Sequence, residues 1–402
     1  MSRSILHMDL DTFFVSCERL MDSKLKNRPV LIGGTSDRGV VASCSYEARR
    51  FGVHSAMPMK MAKQLCPEAV VLRGNSGIYT KYSKIVTDII KEEVPLYEKS
   101  SIDEFFLDLT GMDRFFGCQK LAGELRARII RESGLPISLG LSINKTVSKI
   151  ATGEAKPNNE LSVFQGTEKS FLAPLSVKKI PMVGNKTYRN LCELGVKQIG
   201  TIQEMPIELM KNVFGKSGIS IWKKANGIDN SPVIAYQERK SISTERTFDK
   251  DTIDVKKLDG IMTAMAENLV FQLRRGNKLT ACITVKIRYS DFQTYTLQKK
   301  IPYSAADHII IPLVLEMYRK LYQRRVLVRL IGVRFSHLVN GAHQINLFED
   351  TNMLNLYKAM DHIRVRYGDR SIIRASGMSA KSISRRNPFN GEPPPLLANR
   401  RR

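Results

Sequence analysis

The stretch HMDLDTFF, residues 7–14, places two aspartates in an apolar segment and follows them with two phenylalanines. Residues 5–10 read as a short central strand of a sheet, where a buried carboxylate is costly unless it is paired or binds a cation. A second acidic pair, Asp103 and Glu104, stands between two apolar strands in SSIDEFFLDL. Together the two acidic sites predict a cluster of three oxygen ligands, the type that Mg²⁺ prefers.

A cluster of this kind is typical of phosphoryl transfer, because two Mg²⁺ ions about 4 Å apart activate an attacking oxygen and stabilise a leaving one. The strand pattern leaves open whether Asp9 or Asp11 is the ligand, since alternate residues of a strand share one face. An ordinary solvated turn is the competing interpretation of Asp103 and Glu104.

The elements predicted around these acids indicate an α+β sheet. In chain order we expect a strand at 5–10, a helix at 77–94, two strands joined by a tight turn at 100–103, a helix at 119–132 and a strand at 137–143. This order favours helices packed on one face of the sheet. Later segments predict helices throughout 168–228, an extended linker at 230–248, and strands around two helices at 255–338.

The chain has 402 residues, which predicts two to four domains. Its formal net charge is +24, and residues 240–346 carry 18 basic and 9 acidic side chains, so this region holds +9 of that charge. Such a charge favours a polyanionic partner, either nucleic acid or an anionic membrane surface. The longest apolar runs are far shorter than the roughly 20 residues that cross a bilayer, so we expect no membrane span. Six scattered cysteines without a CxxC pair predict reduced thiols in a cytoplasmic protein.

Five motifs, taken together, resemble one known family. They are DLDTFF at 9–14, SYEARRFGVHSAMP at 45–58, SIDEFFLDLT at 101–110, GLSINKTVSKIATGEAKPN at 140–158 and IPMVGNKT at 180–187. In this order and spacing they resemble the Y-family translesion DNA polymerases of the DinB (DNA polymerase IV) class, over residues 4–375. One departure is Asn159, which stands where the family usually has glycine.

The resemblance implies an α+β, multidomain fold of the right-hand polymerase type. Its expected parts are a palm (1–12 and 77–165), fingers (13–76), a helical thumb with a helix-hairpin-helix (166–230), a linker (231–239), a β-rich little finger that binds DNA (240–340), and a clamp-binding motif with a basic tail (341–402). The implied activity is template-directed, low-fidelity insertion of deoxynucleotides opposite damaged bases, by two-metal phosphoryl transfer and without a proofreading exonuclease.

The same resemblance implies a role for individual residues. Two Mg²⁺ ions would be held by Asp9, the Leu10 carbonyl, Asp103 and Glu104, the last two being the catalytic acids, while Asp11 would be structural. The nucleotide would be bound by Phe13, Phe14, Ser43, Tyr46, Arg49 and Lys156. Phe14 is implied to be the steric gate that excludes ribonucleotides. Without the family context, paired phenylalanines more often belong to a core.

The implied partners are primer–template DNA, deoxynucleoside triphosphates and the replication sliding clamp, with the chain itself a monomer. DNA phosphates would be bound by backbone N–H groups at a helix N-terminus, in Val183, Gly184, Asn185 and Lys186. An ordinary turn between helices is the alternative there. The segment QINLF matches a QxxLF clamp-binding peptide, with contacts from Gln344, Leu347 and Phe348.

Three other functions compete with this interpretation. A nucleotide cyclase can share the palm and its acids, but it has no use for a helix-hairpin-helix and a basic DNA-binding domain. A non-catalytic accessory relative would typically have lost the three acids. The catalytic subunit of an SOS-mutagenesis polymerase is closer, since its tail can also carry QxxLF, but the form of the motif at 46–58 favours the DinB class.

Overall fold

The computed structural model describes residues 3–112, 117–341, 351–368 and 371–378, which form two compact units. The first unit extends to Gln237, and the second begins at Glu238. The elements of the first unit are β1 (Ile5–Leu10), α1 (Phe13–Met21), β2 (Val30–Gly33), β3 (Val41–Cys44), α2 (Tyr46–Arg50), α3 (Met59–Leu65), β4 (Val70–Leu72), α4 (Ser76–Glu93), β5 (Tyr97–Lys99), β6 (Glu104–Asp108), α5 (Cys118–Ser133), β7 (Ile137–Ser142), α6 (Lys145–Ala155), β8 (Glu160–Ser162), α7 (Glu168–Leu172), α8 (Asn185–Glu193), α9 (Ile199–Glu204) and α10 (Ile207–Ala225).

A five-stranded sheet with the order β5-β6-β1-β7-β8 organises the first unit. Strand β1 lies in its middle and pairs antiparallel with β6 on one side and β7 on the other, so the prediction of a central strand is confirmed. Leu6, Met8 and Leu10 point to one face of the sheet and are buried in a core that includes residues of α4 and α5. The alternate residues, His7 and Asp9, therefore point to the opposite face.

The prediction that the helices lie on one face of this sheet is wrong for α6. This helix covers the opposite face, where His7 Nδ1 lies 2.8 Å from Thr152 Oγ1. The close approach depends on Gly140 in β7, because a Cβ at this position would lie 2.2 Å from the Ser148 carbonyl oxygen. The α6 helix therefore faces the same side of the sheet as Asp9.

Two smaller groups of elements complete the first unit. Strands β3-β2-β4 form a three-stranded sheet, and its core includes Leu31 and Val41 together with Ala48 of α2 and Met59 of α3. Residues 168–225 contain the helices α7 to α10, as predicted. These helices share a core with apolar residues of α6.

The second unit contains β9 (Ser241–Thr252), α11 (Val255–Arg275), β10 (Lys278–Tyr289), β11 (Thr294–Ser304), α12 (Asp307–Leu321), β12 (Val328–Asn340) and α13 (Thr351–Tyr367). The strands form one sheet with the order β11-β10-β12-β9. The sequence predicted an extended linker over 230–248, but residues from Ser241 onward belong to β9. In this edge strand Ile242 and Phe248 are the two buried residues, so its apolar pattern is too sparse to distinguish it from a linker.

Helix α13 is joined to α11 and α12 through buried charges. Arg274 donates to Asp307 at 2.5 Å and to Asp361 at 2.6 Å. Arg364 of α13 donates to Glu267 of α11, and both side chains are buried. Because a buried charge is costly without a partner, these pairs make α13 a part of the second unit's fold.

Candidate active site

The predicted acids meet on one face of the central sheet. In the antiparallel pairing of β1 with β6, Asp9 stands directly opposite Glu104, so their side chains are cross-strand neighbours. Asp103 immediately precedes β6, and its carbonyl oxygen accepts a hydrogen bond from Leu10 N at 3.0 Å. The fold thus brings together Asp9, Leu10, Asp103 and Glu104, although the two acidic motifs are far apart in sequence.

Ser101 fixes the turn that carries Asp103. Its hydroxyl donates to Asp103 Oδ1 at 2.5 Å and accepts from the backbone N–H groups of Asp103 and Glu104 at 3.3 and 3.1 Å. From beneath the turn, the buried Ser83 of α4 donates to the Ile102 carbonyl at 2.5 Å. The predicted tight turn is therefore present, and its internal hydrogen bonds distinguish it from a loosely solvated one.

The site concentrates negative charge in a partly buried position. Burial raises the pKa of Asp9 to about 7; Lys156 lowers it, and the carboxylates of Glu104 and Asp103 raise it. Burial also raises the pKa of Asp103, and Glu104 adds to that increase. Acidic side chains are thus concentrated in a partly buried position, where a bound cation would favour their ionised form.

Two lysines supply positive charge to this cluster. Lys156 Nζ lies 2.5 Å from Asp9 Oδ1. Lys149 Nζ donates to both carboxylate oxygens of Glu104, at 2.8 and 2.7 Å. The sequence interpretation included Lys156 but missed Lys149. Lys149 lies within α6, and Lys156 is the first residue after this helix. The pairing of Lys149 with Glu104 depends on how α6 packs on the sheet, which no local pattern in the sequence shows.

The three acids of the site carry oxygen donors, which suit divalent cations. Asp9, Asp103 and Glu104 provide hard oxygen ligands, which Mg²⁺ prefers. The pKa of Asp9 is raised by burial first and by the neighbouring carboxylates of Glu104 and Asp103 second. Within residues 3–112, 117–341, 351–368 and 371–378, no three His, Cys, Asp or Glu side chains already stand as a metal cage. In this structure, ion pairs with Lys149 and Lys156 engage Glu104 and Asp9 instead.

Asp11 has a different environment from Asp9. It is buried, and its oxygens accept hydrogen bonds from Tyr46, Ser138 and the backbone of Asn158. The strand pattern left open whether Asp9 or Asp11 is the metal ligand, and the structure gives the two carboxylates different partners. Asp9 stands beside Glu104, whereas Asp11 is occupied by donors from the protein.

The two phenylalanines begin helix α1, directly after β1. Thr12 between them and the strand has a left-handed backbone, with φ 43°, which turns the chain out of the sheet. Phe13 is buried in the core of the first unit, at 2% exposure, and Phe14 is 8% exposed. The Phe14 ring stacks on Tyr79, with centroids 4.3 Å apart and planes 19° apart.

The predicted phosphate-binding residues of the fingers lie on or beside α2. Ser45 caps this short helix by accepting a hydrogen bond from Ala48 N at 3.3 Å. The cap fixes Tyr46 in the first turn, and the Arg49 guanidinium lies over the Tyr46 ring at 5.1 Å. Ser43 is buried on the neighbouring strand β3. An exposed arginine stacked on an aromatic ring is pre-oriented for phosphate oxygens.

Comparison with known proteins identifies the family. The model of the impB/mucB/samB family matches residues 8–153, and the model of its C-terminal domain matches residues 239–347. A DNA polymerase IV of Dehalococcoides mccartyi is 38% identical over 375 residues, which cover 92% of this chain and 96% of that relative. The chain belongs to the Y family of DNA polymerases, in the DNA polymerase IV class.

Other members of this family agree in sequence and in structure. A DNA polymerase IV of Methanoculleus marisnigri is 36% identical, covering 85% of this chain and 96% of its own. A solved Y-family DNA polymerase chimera matches with a TM-score of 0.76 and 26% identity, covering 84% of this chain and 100% of that structure. The predicted fold class and family are therefore confirmed.

As a Y-family member the chain is a DNA-directed DNA polymerase that performs template-directed translesion synthesis. It acts on primer–template DNA and deoxynucleoside triphosphates, with divalent metal. The cyclase and the non-catalytic accessory relative are excluded as alternatives. No helix among the described residues is long and apolar enough to cross a membrane.

The predicted helix-hairpin-helix of this polymerase needs one correction. Val183 is buried, and its N–H donates to the Ile180 carbonyl at 3.0 Å, so this group is not available to a DNA phosphate. Helix α8 starts at Asn185 after Gly184, without a side-chain cap. The first N–H groups of such a helix have no intrahelical partner, so Gly184, Asn185 and Lys186 stay the predicted contacts to a DNA phosphate.

Proposed function

We propose that this polymerase joins nucleotides with two Mg²⁺ ions held by Asp9, Asp103 and Glu104, with the Leu10 carbonyl as a further ligand. The observation that carries the proposal is the cross-strand pair of Asp9 and Glu104 with Asp103 beside it. Two bound Mg²⁺ ions would activate the primer 3′-hydroxyl and stabilise the leaving pyrophosphate. Lys149 and Lys156 place positive charge beside Glu104 and Asp9, respectively.

The incoming triphosphate would be bound by Tyr46, Arg49 and Lys156, with Ser43 lining the same region. Arg49 offers a planar fork of donors and Lys156 a compact charge, which suit phosphate oxygens. Phe13 supports Phe14 from the core, and the Phe14 ring would lie against the sugar. Its stack on Tyr79 supports this role, because a ring held on one side cannot yield to a 2′-hydroxyl.

We assign the elements to the expected parts of the polymerase. The five-stranded sheet is the palm (1–12 and 77–165), the region of the three-stranded sheet is the fingers (13–76), and α7 to α10 are the thumb (166–230). Residues 231–239 are the linker, and residues 240–340, which form most of the second unit, are the little finger. Its excess positive charge supports sequence-independent, salt-sensitive binding to DNA phosphates. We further propose that the polymerase is a cytoplasmic monomer.

The absence of proofreading and the dependence on template can be tested together. In Mg²⁺, purified protein receives a primer with a mismatched 3′ end without nucleotides and, in a second reaction, a matched primer with each of the four deoxynucleotides. We expect the primer to stay intact without nucleotides, and a matched primer to be extended by the complementary nucleotide on both undamaged and adducted templates. Shortening of the mismatched primer would show an exonuclease activity. Equal insertion of all four nucleotides would contradict template direction.

The clamp-binding residues Gln344, Leu347 and Phe348 lie outside the described residues, so the sliding clamp remains a proposal from the sequence motif. Changing Leu347 and Phe348 together to alanine should remove clamp-stimulated synthesis and leave clamp-free synthesis unchanged, since a few apolar anchors carry most of the binding energy of such peptides. Synthesis is measured with and without clamp. Asn346→Ala, at an unspecified position of the motif, is the control.

Equal stimulation of the double variant and the parent would refute the clamp proposal. A loss of clamp-free activity would instead mean that Leu347 and Phe348 are required for folding. The Asn346→Ala control separates a specific loss from a general disturbance of this segment.

A further inference from the structure

The carboxylate of Asp11 is held by donors from three separate segments of the first unit. Its side chain is 1% exposed. Oδ2 accepts from Ser138 Oγ of β7 at 2.7 Å and from the backbone N–H of Asn158 at 2.6 Å. Oδ1 accepts from the Tyr46 hydroxyl of α2 at 3.2 Å and lies 3.6 Å from Lys156 Nζ. A carboxylate only accepts hydrogen bonds, and these four groups are all donors.

The segments tied together are those that carry the proposed triphosphate ligands. Tyr46 is itself such a ligand, and Asn158 follows Lys156 by two residues, in the turn after α6. The same turn is held from its other side by Arg126, which donates to Asn158 Oδ1 at 2.9 Å and to the Ile137 carbonyl at 3.0 Å. Asp11 is therefore the group that joins the helix of Tyr46 to the turn of Lys156.

Nothing in the chemistry of this site requires Asp11 to contact a metal. Its oxygens already accept hydrogen bonds from Ser138, Asn158 and Tyr46. Burial raises the pKa of the Tyr46 phenol, and the charge of Asp11 raises it further, so the phenol stays protonated and remains a donor. The hydrogen bond that fixes Tyr46 is thus maintained at neutral pH.

We propose that Asp11 is a positioning residue that presets Tyr46 and Lys156 for the incoming triphosphate, and so determines nucleotide affinity. This inference rests on the proposed nucleotide-binding roles of those two residues. It assigns Asp11 a part in the reaction that differs from that of Asp9, although the two residues are alternate members of one strand. Loss of Asp9 should affect the maximal rate, whereas loss of Asp11 should affect nucleotide affinity.

The test is single-turnover insertion at varied nucleotide concentration by Asp11→Asn, which keeps the size of the side chain but turns N–H groups toward donors. Hydrogen bonds to charged groups are worth enough to change affinity about tenfold to a hundredfold. We expect the nucleotide Kd to rise by at least about tenfold, with the maximal rate lowered less than about threefold. Asp108→Asn is the matched control, since the carboxylate of Asp108 accepts a hydrogen bond from the exposed Thr110 N–H and lies outside the proposed site.

A double-mutant cycle that combines Asp11→Asn with Tyr46→Phe tests whether Asp11 acts through its hydrogen bond to Tyr46. Removing the phenol hydroxyl should raise Kd in the parent but add little in the Asp11→Asn protein, because the hydrogen bond is already lost. Full additivity would overturn the proposal. A merely structural role would give a smaller fraction of active molecules, seen as a lower burst amplitude, with an unchanged Kd and no coupling. That outcome would also overturn it.

Two further variants keep the test decisive. Should Asp11→Asn fail to fold, Ser138→Ala removes one donor and should raise Kd about threefold; no change in Kd would then count against the proposal. Tyr46→Ala separates a failure of the nucleotide-binding role proposed for Tyr46 from a failure of the positioning role proposed for Asp11. An unchanged Kd in Tyr46→Ala would refute the nucleotide-binding role of Tyr46. A raised Kd in Tyr46→Ala with a normal Kd in folded Asp11→Asn would refute only the positioning role of Asp11.

Discussion

Replacing Asp103 or Glu104 by alanine is expected to slow nucleotide insertion about a thousandfold while binding to primer–template DNA stays nearly normal. Such a loss corresponds to roughly 4 kcal/mol of transition-state stabilisation. The reason is that these carboxylates act on charge that develops during the reaction rather than on the DNA duplex. The measurement is single-turnover insertion in Mg²⁺, with DNA affinity determined separately on the same preparations.

Glu124→Ala is the control for this experiment, because Glu124 is an exposed acid of the same unit, on α5. It should insert nucleotides at the parent rate. Thermal unfolding of each variant establishes that the unit is intact. Near-normal insertion by either Asp103→Ala or Glu104→Ala would contradict the proposed metal ligands. Loss of DNA binding together with insertion would indicate a structural role for the turn that Ser101 fixes.

Replacing Phe14 by alanine is expected to let ribonucleotides into the site while deoxynucleotide insertion survives. The ring leaves no room for a 2′-hydroxyl and offers it no hydrogen-bond partner, so discrimination arises mainly from a steric clash. If the clash is worth about 3 kcal/mol, the preference for deoxynucleotides falls by over a hundredfold. The measurement compares kcat/KM for matched ribo- and deoxynucleotides.

The neighbouring Phe13 provides the matched control for the gate. It is more deeply buried than Phe14, so Phe13→Ala should destabilise the fold by about 3–5 kcal/mol without changing the sugar preference of the remaining active protein. An unchanged ratio in folded Phe14→Ala would place the gate elsewhere. Loss of all activity in that variant would instead assign Phe14 to the core.

The sequence was sufficient for the features that local patterns encode. The acids within the apolar segment at 5–10 predicted a central strand that carries functional carboxylates. Strand β1 is the central strand of its sheet. The apolar spacing at 77–94 and the stop before Pro95 predicted α4, which runs from Ser76 to Glu93. These features could be predicted because burial and periodicity determine them within a single segment.

Contacts between distant segments could not be predicted in this way. Asp11 meets Tyr46 across 35 residues, Ser138 across 127 and the Asn158 backbone across 147. The same limit applies to Lys149, whose partner Glu104 is 45 residues away. The position of α6 on the second face depends on a single glycine in β7. No local pattern contains these pairings, because they follow from the register of β1 and from helix packing.

Whether Asp9, Asp103 and Glu104 perform DNA synthesis as a metal site is tested most directly by insertion at controlled free Mg²⁺. One complementary deoxynucleotide is offered to the parent chain and to Asp103→Ala, first with a chelator and then with rising Mg²⁺. We predict no insertion in the chelator, full recovery of the parent with Mg²⁺, and a rate about a thousandfold lower in Asp103→Ala at every Mg²⁺ concentration. Insertion in the chelator, or equal rates for the two proteins in Mg²⁺, would contradict this assignment.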